Sequence, residues 1–203
     1  MSIAFYKYEG TGNDFILIDD RLSIFPMDNE IIIRLCTRKT GIGSDGLILI
    51  KKSEKADFYM DFYNPDGSKS FCGNGSRCAV AFANRLGIIG KKTSFSAIDG
   101  FHTGKILDDN QVEITMCDVP GINNINGDFV LNTGSPHFVR FVNNLSKEEI
   151  IKTGREIRYS SQYKKEGINV NLVEKKSGQS LSCETYERGV EDETLSCGTG
   201  VTA

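Results

Sequence analysis

The 203-residue sequence predicts an α/β (α+β) chain built as two similar halves. Three observations predict it. Short apolar segments of strand character recur between Gly-, Asn-, Asp- and Pro-bearing turns, with few helical stretches among them. The block Cys72-Gly73-Asn74-Gly75 has an echo at Cys197-Gly198-Thr199-Gly200. Between the two blocks, Cys117-Asp118-Val119-Pro120-Gly121 and the polar residues 123–127 interrupt the pattern.

In chain order, residues 3–8 and 15–19 read as strands joined by a turn over 9–14, where Asn13 is on local grounds a turn former. Asp28 caps a helix running to residue 38, with Ile31, Ile32, Leu35 and Cys36 on its apolar side. Gly41-Ile42-Gly43-Ser44-Asp45-Gly46 matches the dinucleotide fingerprint. That motif must follow a strand and open a helix, whereas this one follows a helix and leads into a strand at 47–50, so a nucleotide site is rejected. Residues 56–63 alternate, with Phe58, Met60 and Phe62 on one face and Tyr59, Asp61 and Tyr63 on the other. Asn64-Pro65-Asp66-Gly67 is a turn that delivers the chain to Cys72. Residues 79–86 form a good helix, and Gly87 supplies its stop. Strands are expected at 93–97, 102–107 and 111–116, with Asp108-Asp109-Asn110 turning the last two into a hairpin.

The second half repeats this plan. Strands near 128–133 and 137–142 flank Gly134-Ser135-Pro136-His137. Ser146-Lys147-Glu148-Glu149 is a capping box that opens a helix to about residue 158. Strands at 168–174 and 180–187 follow, turned by 175–178. Arg188-Gly189 and the acidic residues 191–193 then lead to Cys197. Each half is thus a strand-rich layer feeding one Cys-Gly-x-Gly helix, 1–117 carrying Cys72 and 118–203 carrying Cys197. The second of these helices has a start but no body, and helix nucleation is costly without a face to pack. The second half is therefore expected to be truncated.

Composition narrows the classes of function. A chain of this length folds as one or two domains, at about 150 residues each. The net charge is −3 and there is no basic block, which argues against a nucleic-acid partner. Neither a membrane-spanning apolar run nor a signal peptide is present, so a cytoplasmic protein is expected. Six cysteines invite a disulfide framework or zinc. The first belongs to short secreted chains. The second favours paired C-x-x-C or supporting histidines, but only His102 and His137 exist, so no metal is expected. Cys36, Cys117 and Cys183 read as small apolar fillers, and Cys78 as a buried helix residue.

Cys72 and Cys197 read differently. At a helix start the unpaired N–H groups and the positive dipole end stabilise a thiolate and offer a seat for a carboxylate. A thiolate beside that seat is a base placed to remove a proton next to the carboxylate. A second such element can serve the opposite face of the same carbon.

Several blocks together resemble the diaminopimelate epimerase family. They are Gly10-Thr11-Gly12-Asn13-Asp14-Phe15, Gly41 through Gly46, Asn64-Pro65-Asp66-Gly67-Ser68 and Cys72-Gly73-Asn74-Gly75-Ser76-Arg77-Cys78. They continue with Gly134-Ser135-Pro136-His137, Glu166-Gly167-Ile168-Asn169-Val170, Tyr186-Glu187-Arg188-Gly189-Val190 and Glu193 through Gly200. The resemblance implies two lobes, each wrapping strands around a central helix, with the active site between them. It implies a cofactor-independent isomerase of lysine and cell-wall precursor biosynthesis that interconverts LL- and meso-diaminopimelate by inverting one α-carbon. Cys72 and Cys197 are then the catalytic acid/base pair, with His137 beside the first thiol and Glu187 beside the second.

The backbone near Gly73-Asn74 and Gly198-Thr199 would hold the α-carboxylate. Asn13, Asn64, Asn169, Glu187 and Arg188 resemble the substrate-gripping residues, joined by Ser135, where many members carry Asn. The implied partner is the small amino-acid substrate, and a homodimer is compatible with the resemblance. Two other readings stand beside this one: a proline or hydroxyproline racemase, and an inactive truncated chain that only binds a ligand or partner. Asn64, Asn169 and Arg188 suit a second charged amino-acid end, which a proline ring lacks.

Overall fold

The computed structural model describes residues 2–109 and 111–203; Met1 and Asn110, the latter in the expected 108–110 turn, lie outside them. The chain divides into two compact units, Met1–Cys117 and Asp118–Ala203. It is a mixed α+β protein with one sheet in each unit.

The first unit contains β1 (Tyr6–Gly10), β2 (Asn13–Asp19), α1 (Asn29–Cys36), β3 (Gly46–Lys51), β4 (Phe58–Tyr63), α2 (Gly73–Arg85), β5 (Lys92–Ala97), β6 (Gly100–Ile106) and β7 (Val112–Ile114). Its seven strands lie side by side in chain order. The β2–β3 and β4–β5 pairs are parallel, and the others are antiparallel. Parallel neighbours need a long crossover, and each of these pairs has one containing a helix, α1 in the first and α2 in the second.

The period-2 alternation of a strand sorts the side chains onto two faces. Phe15, Leu17, Ile48, Ile50, Phe58, Met60 and Phe62 pack with Ala79, Val80, Phe82 and Ala83 of α2. Their neighbours Ile16, Ile18, Leu47, Leu49 and Tyr63 pack with Ile32 and Cys36 of α1. Burial on both faces explains the unbroken apolar runs Phe15-Ile16-Leu17-Ile18 and Leu47-Ile48-Leu49-Ile50. Helix α2 touches β1, β2, β3, β4, β6 and β7, so the sheet curls around it. Each fully buried large side chain here, such as Phe82, stabilises the fold by roughly 1.5–3 kcal/mol. The α1-facing side of β4 also holds Asp61, 3% exposed, which accepts from Lys51 Nζ (2.7 Å), Lys69 Nζ (2.6 Å) and the Tyr63 hydroxyl (2.9 Å). A buried carboxylate needs such partners to offset its desolvation.

The second unit contains β8 (Asn123–Ile125), β9 (Asp128–Asn132), β10 (Pro136–Val142), α3 (Lys147–Arg158), β11 (Asn169–Lys175), β12 (Leu181–Glu187), β13 (Asp192–Thr194) and α4 (Gly198–Thr202). The sheet order is β13-β12-β11-β10-β9-β8, and α3 forms the crossover of its single parallel pair, β10–β11. Ser146 caps α3 by accepting from the Glu149 N–H, as the capping box requires. One sheet face packs Phe138, Val170, Leu172 and Tyr186 against Ile150 of α3. The other carries Leu131, Val139 and Val173.

The structure departs from the sequence reading at several points: β7 covers only Val112–Ile114, and Asn13 belongs to β2 instead of the turn. Residues 123–125 and 192–194 form edge strands where a polar linker and an acidic loop were expected. Neither has an apolar face to announce it, and pairing with β9 and β12 makes them strands. Helix α1 stops at Cys36 because Thr37 is already extended (ψ 122°). Strand β1 begins at Tyr6. Two supposed apolar fillers are also placed otherwise: Cys183 is exposed, and Cys117 sits among polar groups.

Candidate active site

In the first unit Cys72 is the N-cap of α2, with extended backbone (φ −130°, ψ 112°). Its sulfur accepts the Gly75 N–H at 3.3 Å, taking one of the donors that a helix start leaves unmatched. Gly73, Asn74, Gly75 and Ser76 are all buried around it. A Cβ on Gly75 would stand 3.2 Å from Ile48 Cδ1 and 3.5 Å from the Cys72 sulfur, so glycine leaves the sulfur uncrowded.

Asn13 opens β2 and reaches this helix start. Its Nδ2 donates to Asp45 Oδ2 (2.9 Å), which turns Oδ1 towards Asn74 Nδ2 (3.4 Å) and the Cys72 sulfur (3.8 Å). Asn74 Oδ1 accepts from Arg77 (2.6 Å). Asp45 is held by Arg38 (2.7 Å), which also pairs with Asp14. Burial pushes the Asp14 carboxyl up, but hydrogen bonds from Arg38 and Lys7 outweigh it and hold the group at about 2. Asn64 lies in the 64–67 turn, where its Nδ2 donates to Ser68 Oγ (3.0 Å) and its Oδ1 accepts from Ser70 (3.3 Å). Asp45 and Arg77 were not singled out from sequence. Asp45 sits inside the rejected glycine motif, and its job is to aim Asn13.

In the second unit Cys197 is the N-cap of the short α4 and is buried. Its sulfur lies 3.4 Å from Thr199 Oγ1. Thr199 Oγ1 is 2.9 Å from His137 Nε2, and His137 Nδ1 is 2.9 Å from Asn171 Oδ1. Asn169 Nδ2 donates to Ser135 Oγ (2.9 Å) and also faces His137 Nε2 at 3.4 Å. Asn169 Oδ1 accepts the Arg188 N–H (2.8 Å), while the Arg188 guanidinium donates to the Glu166 carbonyl (2.8 Å). Gly198 and Thr199 begin α4, and Thr133 Oγ1 donates to the Thr199 carbonyl at 2.9 Å.

Hydrogen-bond directions follow from these contacts. The amide oxygen of Asn171 can only accept, so His137 carries its proton on Nδ1. Nε2 is then an acceptor, for the Thr199 hydroxyl and the Asn169 amide. With its proton given to His137, the Thr199 oxygen is open to accept from a Cys197 S–H.

Electrostatics agree with that direction. Burial, and to a smaller extent the Arg188 charge, lower His137 to about 4, so the ring is neutral at pH 7. Burial pushes the Cys197 thiol up to about 12, and the Glu187 charge adds to the rise. His137 was expected beside the first thiol; within its own unit it is connected to Cys197 through Thr199. Asn171 was missed altogether. Its signal was available, since a second asparagine two residues after Asn169 in a buried strand faces the same side.

Sequence comparison places these residues in a family. The diaminopimelate epimerase family model matches residues 5–120 and 129–203. A diaminopimelate epimerase of Flavobacterium psychrophilum is 52% identical over 200 residues, covering 98% of this chain and 78% of that protein. One of Chlorobaculum tepidum is 43% identical, covering 96% and 79%. Among solved structures, a hydroxyproline epimerase from Agrobacterium vitis with bound trans-4-hydroxy-L-proline has the same fold. It has a TM-score of 0.71 at 13% identity, covering 98% of this chain and 74% of that one.

Proposed function

The chain belongs to the diaminopimelate epimerase family, and from that premise we propose that Cys72 and Cys197 invert the α-carbon of diaminopimelate by a two-base proton transfer. The chain is an isomerase of the cofactor-independent kind. The observation that carries the residue assignment is the repeated cap: each cysteine is the N-cap of a helix that opens Gly-x-Gly.

One sulfur, as thiolate, takes the α-proton; the electron pair left on carbon delocalises into the adjacent carboxylate; the other, as thiol, returns a proton on the opposite face. Charge and protons balance, and the two sulfurs exchange states with each turnover. A buried Cys197 pushed up to about 12 suits the proton donor, and Cys72, with the Gly75 N–H at its sulfur, suits the base. The N–H groups near Gly73-Asn74 and Gly198-Thr199 are assigned to the α-carboxylate, where they stabilise the charge that develops. Asn13, Asn64, Ser135, Asn169, Glu187 and Arg188 are assigned to substrate. Arg188 offers a fork for the distal carboxylate. His137 and Glu187 tune the thiols.

The two units, as lobes, must bring both sulfurs to one stereocentre. The enzyme is read as cytoplasmic, acting on a small molecule, without a nucleic-acid partner and compatible with a homodimer. No helix among the described residues is long and apolar enough to cross a membrane.

The test is hydrogen exchange at the α-carbon. The reduced protein is incubated in deuterated buffer with diaminopimelate, L-proline or trans-4-hydroxy-L-proline, and the α-proton is followed by NMR. Loss of the diaminopimelate signal alone is expected. Exchange of a proline substrate, or none with diaminopimelate, overturns the assignment.

A further inference from the structure

A cluster in the first unit, apart from the Cys72 residues, has the make-up of a metal centre. Asp99, in the turn between β5 and β6, meets His102 on β6 and Cys117, the last residue of the unit. His102 Nε2 is 3.0 Å from Asp99 Oδ1, and the Cys117 sulfur is 3.6 Å from Asp99 Oδ2 and 3.8 Å from Nε2. One donor atom from each residue lies within 4.8 Å of the others. Metal bonds of about 2.0–2.3 Å at tetrahedral angles put ligand atoms roughly 3.3–3.6 Å apart. The three contacts lie near that range, and a turn of the Asp99 carboxylate is needed to present one oxygen to an ion shared with both partners.

The histidine is also oriented as a ligand. Its Nδ1 faces the Thr115 carbonyl at 2.9 Å, and a carbonyl can only accept, so Nδ1 carries the proton. In the neutral ring Nε2 then holds a lone pair, and that lone pair points at a carboxylate and a sulfur. Without an ion, the Cys117 S–H and a proton on Nε2 can each donate to Asp99; a cation between the three takes the place of those protons. Metal-bound histidines are commonly fixed in this way by a carbonyl on the other nitrogen. The ring plane is held by stacking on Phe71 (centroids 4.5 Å, 9°) and Phe95 (5.2 Å, 23°). Asp99 and Cys117 are half-buried, which leaves a side for a fourth, water ligand.

We propose that Asp99, His102 and Cys117 bind one zinc-class divalent cation. The mixed sulfur, nitrogen and oxygen set selects a borderline-soft ion over magnesium or calcium. Binding releases to solvent the Cys117 thiol proton and any proton on His102 Nε2, so that the thiolate and the neutral ring hold the ion. Phe71, the residue before Cys72, rests on the His102 ring, so the ion braces the approach to the Cys72 helix. In the sequence, the lack of C-x-x-C pairs and the presence of only two histidines argued against a metal. Here the ligands are brought together by the β5–β6 turn, the start of β6 and the segment that follows β7.

The test uses Co²⁺ as a spectroscopic stand-in, added to the full chain under reducing, chelator-free, anaerobic conditions. A thiolate-to-metal band in the near ultraviolet with intensified visible bands, saturating at one Co²⁺ per chain and displaced by Zn²⁺, is expected. Both should persist in the Cys72→Ser/Cys197→Ser variant and vanish in Cys117→Ala. Asp99→Asn, at a half-buried turn position, should weaken Co²⁺ at least about tenfold. Zn²⁺ should raise the Tm of the parent protein but not of Cys117→Ala, which also reports whether that variant folds. A band that survives Cys117→Ala, or one that disappears with Cys72 and Cys197, overturns the site. So does the absence of any thiolate band in the parent, which would leave an imidazolium–carboxylate pair beside a thiol.

Discussion

His137 Nε2 and Thr199 Oγ1 stand 2.9 Å apart inside the second unit, and that contact joins a buried imidazole to the helix that Cys197 caps. Hydrogen bonding runs one way along the row: Cys197 S–H to Thr199, Thr199 O–H to His137, His137 Nδ1–H to Asn171. A hydroxyl in the middle lets a change of charge on the sulfur be felt at the ring.

Thr199→Val keeps the shape and removes the hydroxyl. Losing a buried hydrogen bond costs about 1–3 kcal/mol, so kcat/KM should fall roughly 5- to 150-fold with little change in fold. Thr199→Ser should restore most of it. Steady-state kinetics of the two variants check this, and equal activity in Val and Ser variants would remove the hydroxyl from the account.

The pH dependence follows from His137. Its ring stays neutral in the folded protein down to about 4, whereas in the unfolded chain it takes up a proton near its ordinary value of about 6.5. The unfolded state therefore binds more protons between those values. The contribution to stability is complete above about pH 6.5 and is lost as the pH falls towards 4. Imidazole NMR shifts at pH 5.5 should report a neutral His137, and urea midpoints should decline from pH 6.5 to 4. An imidazolium signal at pH 5.5 would contradict this.

Much of this architecture was legible in the sequence, for a physical reason. Residues 15–18 and 47–50 are apolar at every position because the sheet is covered on both sides, and Asp28, Ser146 and Cys72 announce helix starts by their own chemistry. The three-residue strands β8 and β13 were not legible, because pairing with a neighbour defines them. Of the candidate site, the cysteines, His137 and Asn13 were named from sequence, but not the residues that hydrogen-bond to the last two. Asp45 and Asn171 act through hydrogen bonds to Asn13 and His137, over 32 and 34 positions of sequence.

Cys72→Ala and Cys197→Ala should each abolish epimerisation while the first unit keeps its fold. Far-UV circular dichroism and α-proton exchange, measured together, distinguish loss of chemistry from loss of structure. Full turnover in either variant would rule out the two-base scheme.

The two Gly-x-Gly glycines should differ in tolerance. A Cβ on Gly200 would stand 2.5 Å from Asn171 Nδ2 and 3.1 Å from Thr185 Oγ1, so Gly200→Ala must displace the amide that orients His137. Overpacking of this kind costs about 1–3 kcal/mol. At Gly75 the nearest atom is the end of the Ile48 side chain, at 3.2 Å, which can yield. Thermal melts should show the larger loss for Gly200→Ala.

The curl of the first sheet around α2 has a consequence for how the protein is made. Because α2 is touched by strands from β1 to β7, the Cys72 helix is not enclosed until residues 112–114 have left the ribosome. During synthesis its side towards β6 and β7, where Val80 lies against Gly104, waits uncovered for those strands, while Phe82 already rests on Tyr6 and Tyr8 of β1. A nascent chain of which residues up to 86–111 have emerged would display that helix to chaperones, and emergence beyond residue 114 would hide it.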